Sequence, residues 1–459
     1  MKIVQNDLVS QLKNIIPEEQ VTANPTVLEQ HSKDESYHTP HFPDVVVFPK
    51  STEEVSEIMK FANENQIPVT PFGLGTSLEG HAIPYHGGIS LDFQLMNSVL
   101  EVRPADFLVR VQPGVTRSQL NKVLKKHGLF FTVDPGADAT LGGMAATNAS
   151  GTTSVRYGIM RDQVRDLEVV LADGRIIHTG SMTAKSSSGY HISGLFVGSE
   201  GTLGIFTELT LRVYGIPEVI TAARAVFPTV EDAVTSVVST LSAGIPIARM
   251  ELVDARSIKQ VNLYNNTDYP EKPTLFIEFH GSEAGLKYDV DFAQKLAMDN
   301  GCKEFLFETD SKARSQLWEV RHNLAYAFVH KSPGKKMMVT DVCVPISELV
   351  GAIQDARAAI DESGMDGAIV GHVGDGNYHV ILMIDLNNPE EMEKAKNLNA
   401  HLVDYALNRG GSCTGEHGVG VGKMGYQRKE HGEALDVMKG IKDVLDPKGI
   451  LNPGKIFID

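Results

Sequence analysis

At 459 residues the chain is about three times a common single-domain length, so two or more packed cores are expected. Apolar residues make up 42% and charged residues 22%, the balance of a folded globular protein with little room for long disordered tails. A formal charge of −16 without any block of Lys and Arg argues against nucleic acid, because phosphate binding requires a concentrated basic surface.

The opening MKIVQNDLVSQLKNIIPEEQ has neither a signal-peptide core nor an Arg-rich transit pattern, and no apolar run reaches the roughly 18 residues of a membrane helix. A cytoplasmic location and no integral membrane segment are therefore expected. After this helical start, Asp44 to Phe48 reads as a strand, and Ser51 with Glu54 forms the capping-box start of a helix carrying Val55, Ile58, Met59 and Ala62. A strand at Ile67 to Thr70 then runs into PFGLGTSLEG, so a βαβ unit ends in a glycine-rich loop. Strands are predicted at Ile89 to Asp92 and Leu108 to Gln112, followed by a helix opening at Thr116 with Gln119 in the capping-box position. Asp173-Gly174 signals a hairpin between Leu167–Ala172 and Arg175–His178, and Leu203 to Val213 is a further strand. A boundary falls near Pro217. Beyond it, helices near 229–243, 283–299 and 347–362 alternate with strand-like TLFIEFHG and MMVTDVCVP, which predicts a second α+β domain on an antiparallel sheet. Cys302, Cys343 and Cys413 lie far apart without CxxC spacing, so they read as small apolar residues and not as a disulfide or iron–sulfur framework.

Three segments offer backbone unobstructed by large side chains. They are Pro71-Phe-Gly-Leu-Gly-Thr-Ser77, Asp134 to Gly151 with its run of small residues, and Val197-Gly-Ser-Glu-Gly-Thr-Leu-Gly-Ile205. Such backbone suits a pyrophosphate or a ring edge. The first alone is weak, since a tight turn explains a GxG equally well and Leu78 occupies the third glycine position of the dinucleotide fingerprint. In GHVGDGNYH, GDGN reads as a four-residue hairpin loop, and pairing Val373 with Tyr378 sets His372 directly opposite His379. Two imidazoles so placed can bridge through a divalent ion, although a hydrogen-bonded histidine pair is an equal reading of that hairpin alone. Thr414-Gly-Glu-His-Gly-Val-Gly420 adds Glu416 as a third ligand suited to zinc, manganese or iron(II), and leaves His417 for proton transfer. Arg321 lies in a helical pattern where most arginines are solvated, yet its planar fork matches a carboxylate.

Together these motifs resemble the vanillyl-alcohol oxidase type, or p-cresol methylhydroxylase type, of FAD-linked oxidase over nearly the whole chain. Within it the likeness is to the group of D-lactate dehydrogenases, glycolate oxidase flavin subunits and D-2-hydroxyglutarate dehydrogenases. PFGLGTSLEG, VDPGADATLGGMAATNASGT, VRYG with MRD, and GLFVGSEGTLG look like the flavin-domain motifs; GHVGDGNYH, TGEHGVGVGK and LNPGK look like those of the C-terminal region. TDVCVPIS and WEVRHN are most similar to the cytochrome-linked D-lactate dehydrogenases.

The resemblance implies an α+β fold with an FAD-binding domain of two α+β subdomains over residues 1–217. A cap domain over 218–423 has an antiparallel sheet and flanking helices, and a segment over 424–459 returns to the flavin domain. It implies FAD contacts from Pro71, Gly73, Gly75, Thr76 and Ser77. Gly136, Ala137, Thr140, Gly142, Gly143, Ala146, Thr147, Asn148, Ser150 and Gly151 follow, with Tyr157 and Gly158. Glu200, Gly201, Gly204, Ile205 and Asn452 complete the set. Thr76 after Gly75, where a tethering histidine would stand, implies non-covalent FAD. His372, His379 and Glu416 are implied as metal ligands, His417 as the base and Arg321 as the carboxylate holder, in a site between the two domains.

The expected reaction is oxidation of a small D-2-hydroxy acid, foremost D-lactate, with D-2-hydroxyglutarate or glycolate as the alternatives. The expected electron acceptor is a quinone, a cytochrome or an electron-transfer protein, through which the chain would be peripheral to a membrane, and a homodimer is the candidate assembly. A metal-dependent hydrolase is the rival of a different class, because the same histidines and glutamate suit water activation. It would not be yellow. A flavin-binding subunit without activity would be yellow and would not bleach with substrate.

Overall fold

The computed structural model describes residues 5–458, which divide into two compact units. The first takes the described residues up to Ser150, Gly158–Ile216 and those from Glu416 on; the second takes Gly151–Tyr157 and Pro217–Gly415.

In the first unit, strands β1 (Val21–Thr22), β2 (Val45–Val47), β3 (Val69–Phe72) and β4 (Ile89–Asp92) form a sheet in the order β1-β2-β4-β3. β2 and β3 both run parallel to β4, which lies between them. The helix joining β2 to β3 is Thr52–Asn65, and it buries Val55, Ile58, Met59 and Ala62 as the spacing predicts. Ser51 Oγ accepts from the Glu54 N–H, while the Glu54 carboxylate accepts from the Lys50 N–H and from Gln20. The strand expected from Ile67 starts at Val69 and carries on through Pro71 and Phe72, so the glycine-rich loop leaves directly from its end.

The second sheet of this unit uses β5 (Val99–Arg103), β6 (Leu108–Val111), β8 (Val164–Val170), β9 (Ile176–His178) and β10 (Ile205–Arg212), in the antiparallel order β5-β6-β10-β8-β9. β7 (Leu129–Phe130) pairs with β11 (Tyr214–Gly215). Thr116 and Gln119 make the reciprocal capping box, and Gly174 takes φ +83° in the β8–β9 turn.

The second unit is built on one antiparallel sheet of β12 (Val219–Val226), β13 (Ile247–Val253), β14 (Thr274–Gly281), β15 (Glu304–Glu308), β16 (Lys336–Val339), β17 (Val342–Cys343), β18 (Gly367–Gly371) and β19 (Asn377–Ile384). The order is β15-β12-β14-β13-β18-β19-β16, with β17 also pairing β19. Helices Val230–Ser242, Glu283–Asp299 and Leu349–Ser363 occupy the expected segments. Among the described residues no helix is long and apolar enough to cross a membrane.

The boundary near Pro217 falls between Ile216 and Pro217, but two stretches divide differently from expectation. The chain re-enters the first unit at Glu416, not at residue 424, because the Val419 and Gly420 N–H groups donate to Glu200 and the Val421 N–H donates to the Glu79 carbonyl. Gly151–Tyr157 belongs to the second unit: Arg156 donates to the Pro246 carbonyl and the Tyr157 hydroxyl meets His280 Nδ1 at 2.8 Å.

The hairpin carrying the paired histidines has a different register from the one predicted. β18 ends at Gly371, and His379 faces Val370, not His372. The Asp375 N–H donates to the His372 carbonyl and Gly376 takes φ +80°, so the turn occupies residues 372–376 and not GDGN alone. The slip is an even number of residues, which keeps every side chain on its own face. His372 is therefore the diagonal neighbour of His379, still within reach of an aromatic side chain, with ring centroids 5.4 Å apart.

Candidate functional site

Both histidines are buried, and each has its Nδ1 on an acceptor. His372 Nδ1 lies 2.7 Å from Glu251 Oε1, and His379 Nδ1 lies 3.0 Å from the Thr340 carbonyl oxygen. A carboxylate and a carbonyl only accept, so each Nδ1 carries the proton and each Nε2 carries the lone pair. One ligand nitrogen from each ring lies within 4.8 Å of its counterpart. This is how metal-binding imidazoles are held, by a hydrogen bond on the far nitrogen that fixes tautomer and ring plane. The ring contact is edge-on, at 84° between planes.

Two carboxylates that support this pair were missed in the sequence. Glu251, in β13, is fully buried; its Oε2 accepts from Arg321 Nε and stands 3.0 Å from Arg321 Nη2. Asp341 sits in the break between β16 and β17, where Thr340 donates its N–H to the Val380 carbonyl and accepts the Val380 N–H on Oγ1. Its Oδ1 accepts from Asn377 at 2.8 Å and its Oδ2 accepts from Thr414 Oγ1 and the Gly415 N–H. The same carboxylate is 3.8 Å from His379 Nδ1. Glu251 is hidden in the apolar run MELV; Asp341 had only the signal of one acid in a strand-like stretch.

Arg321 lies in the helix Ser311–His322, as its pattern predicts, and is mostly buried. Its Nε and Nη2 edge faces Glu251, so a substrate carboxylate would use the other side of the fork. Burial pushes the Cys343 thiol up to about 12, with Asp341 and Asp375 adding to the shift, so it is no nucleophile. Cys302 and Cys413 are buried, in keeping with their reading as small apolar residues.

In the first unit the three glycine-rich segments come together. An added Cβ on Gly73 would lie 2.5 Å from Thr140 Oγ1, and one on Gly201 would lie 2.4 Å from Pro71 Cγ. The Gly198 and Glu200 N–H groups donate to the carbonyls of Ala145 and Ala146. Asn452 reaches in from the tail and donates to the carbonyls of Glu200 and His81. Non-glycine residues Asn148 and Glu200 take φ of 52° and 53° in this framework. Gly136 is exposed, with open space where a Cβ would stand. Pro71, Gly73, Thr140, Ala146, Glu200, Gly201 and Asn452 thus share one backbone framework that fits a bulky planar or phosphate-bearing group.

Other expected contacts have local roles. Ser77 Oγ donates to Asp34, the Gly151 N–H donates to Ser154, and Thr147 Oγ1 donates to the Gly143 carbonyl. A Cβ on Gly142 would meet Pro113, one on Gly158 would meet Asp162 and one on Gly204 would meet Val169, each closer than 3 Å. Tyr157 stands with the second unit, bonded to His280. The Glu200 carboxylate pairs with His81 at 3.3 Å and accepts from Val419 and Gly420.

Glu416 follows Gly415 by one peptide bond, and its Oε2 accepts from Ser150 Oγ at 2.9 Å. The His417 side chain is largely buried, with Nδ1 3.9 Å from Glu79 Oε1. The surrounding glycines make a tight frame, since a Cβ on Gly420 would lie 2.1 Å from the Glu79 carbonyl oxygen.

Residues 216–456 match the family of FAD linked oxidases, C-terminal domain, and residues 43–180 match an FAD binding domain. The chain belongs to the FAD linked oxidases. Similar relatives include a probable mitochondrial D-lactate dehydrogenase of Danio rerio, 47% identical over 98% of this chain and 91% of that protein. A mitochondrial D-lactate dehydrogenase [cytochrome] of Arabidopsis thaliana is 43% identical over 99% and 81%. The glycolate oxidase subunit GlcD of Bacillus subtilis is 35% identical over 90% and 89%. In fold, this member of the family is similar to p-cresol methylhydroxylase, with a TM-score of 0.82 over 99% of this chain and 97% of that one. At 18% identity that likeness concerns the fold, which is the expected α+β type.

Proposed function

We propose that this FAD linked oxidase converts D-lactate to pyruvate, with a divalent metal held by His372, His379 and Glu416 and a cytochrome as electron acceptor. The observation that carries the metal is the pair of Nδ1 hydrogen bonds, which turns the two Nε2 lone pairs to a common purpose. Glu416 is assigned as third ligand because Asp341, beside His379, anchors the Gly415 N–H and so fixes the chain one peptide bond before it. Two histidines and a carboxylate suit zinc, manganese or iron(II).

When bound, the flavin supplies an acceptor for the hydride from the carbinol carbon, and the metal ion supplies positive charge beside the hydroxyl. His417 takes the hydroxyl proton as general base. Arg321 binds the substrate carboxylate through the side of its fork turned away from Glu251, and this orients the C–H bond. The names of the relatives support lactate over other 2-hydroxy acids, and glycolate is the second reading because of the Bacillus relative.

The test is anaerobic mixing of the yellow holoenzyme with D- and L-lactate, glycolate and D-2-hydroxyglutarate while flavin absorbance is followed. D-lactate should bleach the flavin fastest and L-lactate should leave it oxidised; no bleaching by any of them would sink the reading. Chelation should abolish bleaching while the flavin stays bound, and zinc or manganese should restore it. Full turnover by verified metal-free enzyme would remove the metal from the mechanism.

A further inference from the structure

One buried carboxylate touches both a histidine assigned to the metal and the arginine assigned to the substrate. Glu251 Oε1 stands 2.7 Å from His372 Nδ1, and Oε2 accepts from Arg321 Nε, with Nη2 also at 3.0 Å. The three residues lie in one unit, yet are 121 and 70 positions from Glu251 in the chain. Glu251 sits on β13, which pairs with β18 just before His372, so its backbone is fixed by the sheet and not by a loop. A fully buried anion is costly unless paired, and here the guanidinium fork offsets it.

We propose that Glu251 is a positioning residue that couples metal occupancy to recognition of the substrate carboxylate; this rests on the assignment of His372 and Arg321 above. A carboxylate on Nδ1–H holds the imidazole's tautomer and ring plane, so Nε2 stays turned to the ion. The other oxygen holds the guanidinium in plane, so its remaining N–H groups keep one direction. A glutamine cannot do both, because its single oxygen can accept from His372 or from Arg321 and its amide N–H₂ then opposes the other donor. With the amide divided between its two orientations, each contact is held only part of the time, so metal affinity and substrate affinity fall together.

The test uses the flavin-loaded full chain, parental and Glu251→Gln, with Mn²⁺ as the probe, free Mn²⁺ read by electron paramagnetic resonance without substrate. Glu251→Gln should bind Mn²⁺ about 10–100-fold more weakly, the usual effect of losing such a partner. At saturating Mn²⁺ its KM for D-lactate should also rise, while flavin content stays near parental. Glu251→Asp, which keeps a charge, should recover part of both losses, and it serves if the glutamine variant fails to fold. Parental affinity for Mn²⁺ in Glu251→Gln, or weakened Mn²⁺ binding with an unchanged KM, would overturn the coupling. If the parental protein itself binds no Mn²⁺ or other divalent ion, the metal assignment fails instead, so the two failures are told apart.

Discussion

The roles proposed for His417 and His379 differ, although both imidazoles are largely buried. His379 has Nδ1 on the Thr340 carbonyl, which leaves Nε2 for the proposed metal, whereas His417 has Nδ1 3.9 Å from Glu79 Oε1. His417→Ala should therefore keep flavin and metal and slow flavin reduction by about 10²–10⁴-fold, the range for a positioned base. His379→Ala should lose metal and rate together. Metal content measured beside single-turnover bleaching separates the two, and parental bleaching in His417→Ala would assign the proton to another group. Arg321→Lys keeps the charge but replaces a planar fork by a point donor that cannot serve Glu251 and a substrate carboxylate together. We expect kcat/KM for D-lactate to drop by about 10–100-fold, the worth of a charge-assisted hydrogen bond or two, with flavin content unchanged. Parental turnover in that variant would mean that the carboxylate is held elsewhere.

At the scale of elements, the cradle proposed for the flavin depends on loops that approach more closely than side chains allow. Gly201 has φ +73° and faces Pro71 Cγ at 2.4 Å from where its Cβ would be. Gly201→Ala adds about 1–2 kcal/mol of left-handed backbone strain and also forces the 71–77 loop outward. Its flavin occupancy after purification should fall and its melting temperature drop, whereas Gly215→Ala, with open space around it, should match the parent. Equal flavin content in both variants would detach this contact from cofactor binding. These loops were legible as small-residue segments, and so was the hairpin as a turn between two apolar strands. Its register was not. Gly371 closes on Tyr378, with a virtual Cβ 2.8 Å from the Tyr378 Cβ, and the turn takes in His372; turn composition alone did not reveal that approach.

Across the whole molecule, the pH response of stability should reflect a buried pair in the first unit. Burial opposes a charge on His81, but the facing Glu200 outweighs it and holds the imidazole above its ordinary value of 6.5. Burial likewise opposes the Glu200 charge, and His81 with the 419 and 420 N–H groups holds that carboxyl below its ordinary 4.5. A raised histidine contributes stability in full below 6.5 and loses it as pH climbs through the folded value; a lowered carboxyl contributes above 4.5 and loses it as pH falls through its folded value. Both contributions are complete between those two ordinary values, so melting of the first unit should drop on going from about pH 6 to about pH 9. His81→Gln should flatten that alkaline limb. An unchanged slope in the variant would show that other groups set it.

The sequence by itself determined most helices and strands and the α+β class, and it brought forward the small-residue segments and the candidates His372, His379, Glu416, His417 and Arg321, because each depends on local periodicity, turn chemistry or a motif of a few residues. Only the tertiary structure decided that Glu251 joins His372 to Arg321, that Asp341 anchors Gly415, and that Glu200 gathers His81 and the 419–420 backbone. It also moved the chain's return to the first unit to Glu416. These are pairings of buried polar groups across long chain separations. A buried carboxylate must find donors, but which donors it meets is set by sheet order and register, and neither can be read along the chain.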